Sequence, residues 1–483
     1  MRYGVLNRRV PLLIGVALAA VYCLAYLGDP ALPGNSKYPE GWWGWYDQGK
    51  YLASTLAFAH GDLDPAKHWY PLGFSLLAAP LAWAAPNHPY FLIGLASLIA
   101  AFAAFLAFAR RLGIAAPWAA LIFALGSMGD PMLIRDWAVP WNTAPATAFL
   151  WTMAAAAAAS LQGRPRPLVV GLCAAAVVAC RPTDAVTTLP CLLAAAWAAW
   201  YGTRRWAEIG RLVAGGAAVS LGYLALHVAI YGMAATPYMI DSQKIGFTMT
   251  DFGWRAYVIL VDPRSWFQDG QGMLRRFPWM ILGFAGILVA WRRGVVAVML
   301  ATMLMAHMAL YISYVDLMPT GLWRFLNVHY FTWAMPGYAL FAALLLWDLT
   351  RRADWRWAAG SVALVLAISA IRLEPTSVGV GQPAKMIDIA GPVPPFMATY
   401  MSRLPAHDDT GPLLNIQSIR AFPIATGTRV IGIRRWITGP LVWEDGTPAG
   451  MNAQGAQTRY SISLRWGWPR WLVKHRVHNV IDG

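Results

Sequence analysis

Residues 38–80, lying between two strongly apolar segments, concentrate the side chains best suited to chemistry: YPEGWWGWYDQGKYLASTLAFAHGDLDPAKHWYPLGFSLLAAP. One carboxylate, Asp47, stands among Trp42, Trp43, Trp45 and Tyr46 and precedes Lys50 and Tyr51. On a helix, Asp47, Lys50 and Tyr51 would project from one face. Partial desolvation raises the basicity of a carboxylate, which suits Asp47 to act as a general base. Asp136 and Asp184 are the reserve candidates, and Glu40 follows them. Arg181 and Arg324 are the leading anion binders, because a guanidinium is a fixed fork of donors that matches phosphate. Lys50, Arg135 and His329 could join them. The plainer alternatives are a solvated acid or an Asp47–Lys50 pair, an Arg181–Asp184 pair, and interfacial snorkelling of the arginines.

The elements that must position these residues are apolar helices. Hydrophobic residues make up 58% of the 483 positions and charged residues only 13%, far from a soluble average. Apolar runs of membrane-spanning length recur over the first three quarters, so the fold class expected is an all-α polytopic membrane protein. The balance of 38 basic to 23 acidic residues, a net charge of +15, does not read as a nucleic-acid footprint, since the arginines cluster at the ends of apolar runs. Arg2, Arg8 and Arg9 hold the start of the first run in the cytoplasm, and no A-x-A-like cleavage site follows it, which predicts a retained helix.

From there the basic pairs fix a topology. The first outer loop is 29–88, with a partial or interfacial helix over 70–85. Spans follow at about 89–109, 115–128 and 143–161, with an outer loop at 129–141. Two short runs, 167–180 and 185–200, are joined by Arg181-Pro182-Thr183-Asp184, and flanking arginines place that joint outside or recessed within the protein. A span at about 212–231 leads to a second long outer loop, 232–276. Further spans end at Arg292-Arg293, near Tyr314, at Arg351-Arg352 and at about 371, giving about eleven in all with the C-terminus outside.

Residues 373–483 gain proline, glycine and polar residues, which predicts a small soluble extracytoplasmic domain of mixed or β-rich structure. Thr428–Arg434 reads as a strand, and the closing Arg465–Trp471 segment as an interface anchor or a glycan- or acceptor-binding surface. Residues 1–372 would then be the membrane domain. Cys23, Cys173, Cys180 and Cys191 fall in or beside apolar runs and read as buried thiols. No repeat, P-loop or dinucleotide-binding glycine pattern is present.

Four features in order resemble the GT-C superfamily of membrane glycosyltransferases that use polyprenyl-phosphate sugars, including protein O-mannosyltransferases and lipid A aminoarabinose transferases. They are Asp47 with Tyr51, the Tyr70-Pro71-Leu-Gly-Phe-Ser-Leu-Leu run, the Arg181-Pro182-Thr183 break, and Arg324-Phe325. The likeness covers roughly residues 1–372 as architecture. It implies that Asp47 deprotonates an acceptor hydroxyl in a single inverting displacement, while Arg324 and Arg181, with Lys50, Arg135 and His329, hold the donor phosphate. Tyr51, Trp45, Tyr70 and His68 would contact sugar or acceptor, their alternative being interfacial anchoring. Many family members carry two adjacent acids here, some binding a divalent metal. This chain has a single acid, Asp47-Gln48, with Asp62 and Asp64 further on, which favours metal-independent chemistry with no cofactor over a metal site.

The activity expected is therefore transfer of one sugar from a polyprenyl-phosphate donor to a glycan, lipid or protein acceptor, with membrane lipids as the surroundings and no nucleic-acid partner. Alanine, arginine and tryptophan richness points to a bacterial cytoplasmic membrane, although an endoplasmic-reticulum protein would obey the same topology. The competing readings are a transporter or flippase of lipid-linked sugars and a non-enzymatic glycan-assembly protein.

Overall fold

The computed structural model describes residues 2–34, 39–247, 249, 252–261, 272–314, 317, 324–352 and 359–364, together with five short strands further on. The chain forms two compact units. The first comprises Met1–Ile240, Trp279–Met308 and Val328–Ala359, and the second Asp241–Pro278, Ala309–Asn327 and Gly360–Gly483.

Sixteen helices carry the argument, in chain order. They are α1 (Arg2–Leu27), α2 (Tyr46–Ala59), α3 (Leu72–Ala82), α4 (Phe91–Arg111), α5 (Ala116–Met128), α6 (Pro131–Ala138), α7 (Thr143–Leu161) and α8 (Pro167–Cys180). There follow α9 (Ala185–Trp200), α10 (Arg205–Tyr231), α11 (Pro237–Ile245), α12 (Phe252–Ala256), α13 (Met273–Arg276), α14 (Trp279–Leu288), α15 (Val295–Ser313) and α16 (Met335–Arg352). Among the described residues five helices are long and apolar enough to cross a membrane: Arg9–Leu27, α4, α7, α10 and α15. The pair α5–α6, bent by 85°, would make a sixth. Leu72–Ala82, Pro167–Cys180, Trp279–Leu288 and Met335–Thr350 are shorter apolar helices. The protein is thus mostly helical, with several helices compatible with a membrane; the expected last span, 356–371, falls largely outside the described residues.

Local sequence explains the breaks. Residues 129–141, expected as a loop, contain α6 because Asp130 caps it, accepting from the Met132 amide at 2.7 Å, and Pro131 takes its first position. Helix α8 stops at Cys180 because Pro182 follows: Arg181 is driven to extended backbone, φ −147° and ψ 90°, before the short 3-10 turn Pro182–Asp184. Helix α10 starts earlier than the expected 212, at Arg205, its first turn carrying Glu208 bonded to Arg211 at 2.7 Å.

Helix α7 is the hub of the first unit. It is largely buried, with Ala154, Ala157, Ala158 and Ala159 among the most enclosed residues, and its small side chains let α4, α8 and α9 pack closely. Close approaches between helices depend on glycine, as two positions show. A Cβ on Gly171 would lie 2.1 Å from the Leu212 carbonyl oxygen, so α8 and α10 meet backbone to backbone. A Cβ on Gly73 would lie 2.7 Å from the Ala179 carbonyl, so the start of α3 rests on the end of α8, directly beside Arg181.

In the second unit, Arg255 is fully buried and donates from Nε to the Ile312 carbonyl and from Nη2 to the Tyr314 carbonyl, both at 2.6 Å. A cation placed at the last carbonyls of α15 opposes the negative end of the helix dipole. The strands β1 (Lys385–Ile389), β4 (Arg429–Gly432) and β5 (Val477–Ile481) pair antiparallel in the order β4-β1-β5, while β2 (Ala406–His407) pairs with β3 (Leu413–Leu414). Strand β4 lies within the expected Thr428–Arg434 segment, and Arg465–Trp471 lies outside the described residues.

Gly73→Val is expected to force α3 off α8 and destabilise the protein by about 1–3 kcal/mol. Thermal unfolding in detergent checks this against Leu76→Val on the exposed side of α3; equal melting of the two variants would remove the close approach as a constraint.

Candidate active site

Asp47 occupies the first turn of α2, which begins where Trp45 adopts extended backbone. The aromatic stretch thus folds as a helix lying on α3, rather than as an open loop. Tyr90 fastens it: its hydroxyl donates to the Tyr51 carbonyl at 3.0 Å and also meets the Thr55 hydroxyl. Tyr51, Phe74, Ala78 and Tyr90 form the packed cluster beneath, with Trp43, Tyr70 and Ile93 against it. Gln48 donates to the Pro140 carbonyl at 3.3 Å, tying α2 to the approach to α7.

The Asp47 carboxylate accepts a short hydrogen bond from the Tyr70 hydroxyl. The Tyr70 ring lies between those of Tyr51, 4.8 Å away, and Tyr238, 5.2 Å away. Asp47 keeps part of its surface open, yet protein crowds its carboxylate, and burial pushes its pKa above the ordinary range. The Tyr70 hydrogen bond and the positive Arg181 pull it back only in part. Burial, followed by the Asp47 charge, pushes Tyr51 and Tyr70 well above the usual phenol value, so both stay protonated.

Arg181 is the buried cation of this site. Its Nε donates to Asp184 Oδ2 at 3.1 Å and its Nη1 to Asn142 Oδ1 at 2.7 Å, and its guanidinium stands 4.9 Å from the centre of the Tyr330 ring. Asn142 precedes α7 without capping it; its amide nitrogen donates to the Cys180 carbonyl at 3.0 Å, so one side chain holds both the end of α8 and the arginine. His329 stacks on Trp141 with centroids 3.9 Å apart and planes 10° apart. Burial and the Arg181 charge hold its pKa well below the usual value, so it can offer a hydrogen bond but no charge. Its buried Nδ1 has no hydrogen-bond partner among the described residues.

Asp47, Tyr51, Tyr70 and Arg181 therefore form one electrostatic cluster, and His329 adjoins Arg181. The others named from sequence stand apart in role. Lys50 does not pair with Asp47; its ammonium sits 5.7 Å from the Tyr46 ring and 5.3 Å from the Trp69 ring. Arg135 commits its fork to Asp29, Nε to Oδ2 at 2.7 Å and Nη2 to Oδ1 at 3.3 Å, and lies 5.9 Å from the Trp45 ring. That bidentate pair anchors α6 to the chain after α1. His68 is fully buried, with Nδ1 on the Ser54 hydroxyl at 2.8 Å and Nε2 on the Asp62 carbonyl at 3.0 Å, and so clamps α2 to the chain that follows it. Arg324 opens the 3-10 helix Arg324–Phe331, and its side chain lies outside the described residues. Among the described residues no three His, Cys, Asp or Glu side chains are grouped to hold a metal.

Sequence reasoning missed Asn142, Trp141, Tyr238 and Tyr330, ordinary polar and aromatic residues whose roles come only from proximity. The Arg181-Pro182 break was the one signal pointing toward them. No known protein family, curated protein or solved structure matches this chain.

The raised Asp47 pKa has a signed consequence. In the pH interval between its unfolded and folded values the folded protein binds more protons, so stability falls as pH rises through that interval. Asp47→Asn is expected to remove this fall and to melt no lower than wild type at neutral pH. Tyr70→Phe, which loses the donor, is expected to move the fall to higher pH. Melting curves from acidic to neutral pH check both, and superimposable wild-type and Asp47→Asn curves would contradict the burial of the carboxylate.

Proposed function

We propose that this chain is an inverting glycosyltransferase of the GT-C kind, moving one sugar from a polyprenyl-phosphate donor to a glycan, lipid or protein acceptor on the outer side of a bacterial cytoplasmic membrane, with about eleven spans. The observation that carries this reading is a basic carboxylate, Asp47, held by Tyr70 within electrostatic reach of a buried guanidinium, Arg181, that faces the Tyr330 ring. In the reaction, Asp47 takes the proton of the acceptor hydroxyl as its oxygen attacks the anomeric carbon. The bond from that carbon to the donor phosphate oxygen breaks, and the phosphate leaves with the electron pair. Arg181 offsets the charge that builds on the leaving phosphate, and the neutral His329 can add a hydrogen bond. Tyr70 keeps Asp47 oriented over the buried Tyr51 ring, and the half-buried Tyr238 ring offers a flat face to a sugar. The proposal needs no metal.

A second reading, a transporter or flippase for lipid-linked sugars, draws support from the bent pair α5–α6, since interrupted helices are a feature of transporter sites.

Purified protein, given radiolabelled polyprenyl-phosphate sugars and a panel of acceptors, is expected to transfer label without added metal and in EDTA. Asp47→Asn is expected to lower that transfer by at least ~100-fold while leaving donor binding in place. Undiminished transfer by Asp47→Asn would exclude Asp47 as the base. Sugar movement across vesicles that survives Asp47→Asn, without transfer, would favour the transporter.

A further inference from the structure

We infer that His307, a residue outside the reacting cluster, is a positioning residue that sets the aromatic floor under Arg181 by donating a hydrogen bond to the Tyr330 backbone. His307 lies on α15 and is fully buried. Its Nε2 is 2.9 Å from the Tyr330 carbonyl oxygen. A carbonyl can only accept, so the ring proton resides on Nε2 and Nδ1 is left as an acceptor. The other neighbours agree: the Trp333 indole N–H, a donor only, points at Nδ1 from 2.9 Å, and the Thr187 hydroxyl lies 3.1 Å from the same atom. Asp184, which holds Arg181, has Oδ1 3.9 Å from Nδ1, beyond hydrogen-bonding distance. One imidazole in one tautomer therefore joins α9, α15 and the turn leading into α16.

What that turn carries makes the joint matter. The Tyr330 ring is the face against Arg181, and it packs 4.2 Å from His329, which in turn stacks on Trp141. Trp333 is fixed from the other side, its carbonyl accepting from the Trp151 indole at 3.0 Å. Releasing the Tyr330 carbonyl frees the segment that sets both rings around the guanidinium, while the Trp333 end stays anchored. A buried histidine that merely filled space would need no particular proton. Here the donor at Nε2 has a specific task, and the acceptor at Nδ1 a different one.

The two tasks can be separated by amide side chains. His307→Gln keeps a donor near the Nε2 position, and His307→Asn keeps an acceptor near the Nδ1 position. The assay uses full-length protein in detergent with undecaprenyl phosphate as the probe, which rests on the proposed function, alongside thermal unfolding. His307→Gln is expected to bind the probe within ~3-fold of wild type and His307→Asn at least ~10-fold more weakly, the loss of one hydrogen bond's worth of positioning, with similar melting of the two variants. A second readout needs no ligand. In protein labelled with 13C-carbonyl tyrosine and 15N-phenylalanine, which reports the two Tyr–Phe peptides, Tyr90–Phe91 and Tyr330–Phe331, the Tyr330–Phe331 signal, assigned by its loss in Phe331→Leu, should shift in His307→Asn and stay in His307→Gln. Equal effects of the two variants in both readouts, or none, would overturn the inference. Wild type that fails to bind the probe would instead overturn the donor assignment, and the peptide signal would still decide the role of His307.

Discussion

A full positive charge held inside an apolar helical protein is the constraint on which the rest of this structure depends. Arg181 is buried at the joint between two short helices, where a bare cation would be prohibitively unstable. Its neighbours supply what water would have. Asp184 provides the opposite charge three residues on, Asn142 a neutral acceptor from the start of α7, and Tyr330 a ring face. Removing one partner of such a buried pair typically costs about 3–5 kcal/mol, which ties Asp184 firmly to Arg181. Pro182 makes the joint possible by ending α8 where the guanidinium must turn inward.

Asp47 is the counterpart of that charge without being paired to it. Its carboxylate is held by a tyrosine hydroxyl, which donates a hydrogen bond but brings no positive charge to neutralise it. Burial therefore raises its proton affinity, and Arg181 tempers the rise without removing it. A group that is stabilised incompletely is a liability to folding and an asset to proton transfer, the trade expected at a working site. The other acid–base pairs differ in kind. Arg135 with Asp29, and Arg293 with Asp348 at 2.5 Å, are closed contacts that fasten segments together.

Glycine and alanine decide how near these groups can come. Gly73 lets the start of α3, and with it Tyr70, settle beside Cys180 and Arg181, and the alanines of α7 let its neighbours converge on Asn142. Few of the side chains that make the site possible could themselves react. They determine distances, and His307, which reaches Arg181 only through Tyr330, belongs to the same class of support.

The sequence alone determined the helical, membrane-compatible character, because long apolar runs have no other stable use; it singled out Asp47 as a lone carboxylate among aromatics between two such runs, and the Arg181-Pro182 break because proline cannot continue a helix. It also located α8 and α9 to the residue. What it left open were the partners. The Asp47–Lys50–Tyr51 face was legible, but only packing showed that Asp47 turns to Tyr70 while Lys50 turns to Tyr46 and Trp69. The sequence likewise could not say that Asp29 stands against Arg135, or Ser54 and the Asp62 carbonyl against His68. Asn142, Tyr238 and Tyr330 carried no signal of their own beyond the Arg181-Pro182 break. A side chain's chemistry is written in its type, whereas its hydration, partners and proton affinity are set by residues distant in sequence, and those the tertiary structure alone brings into contact.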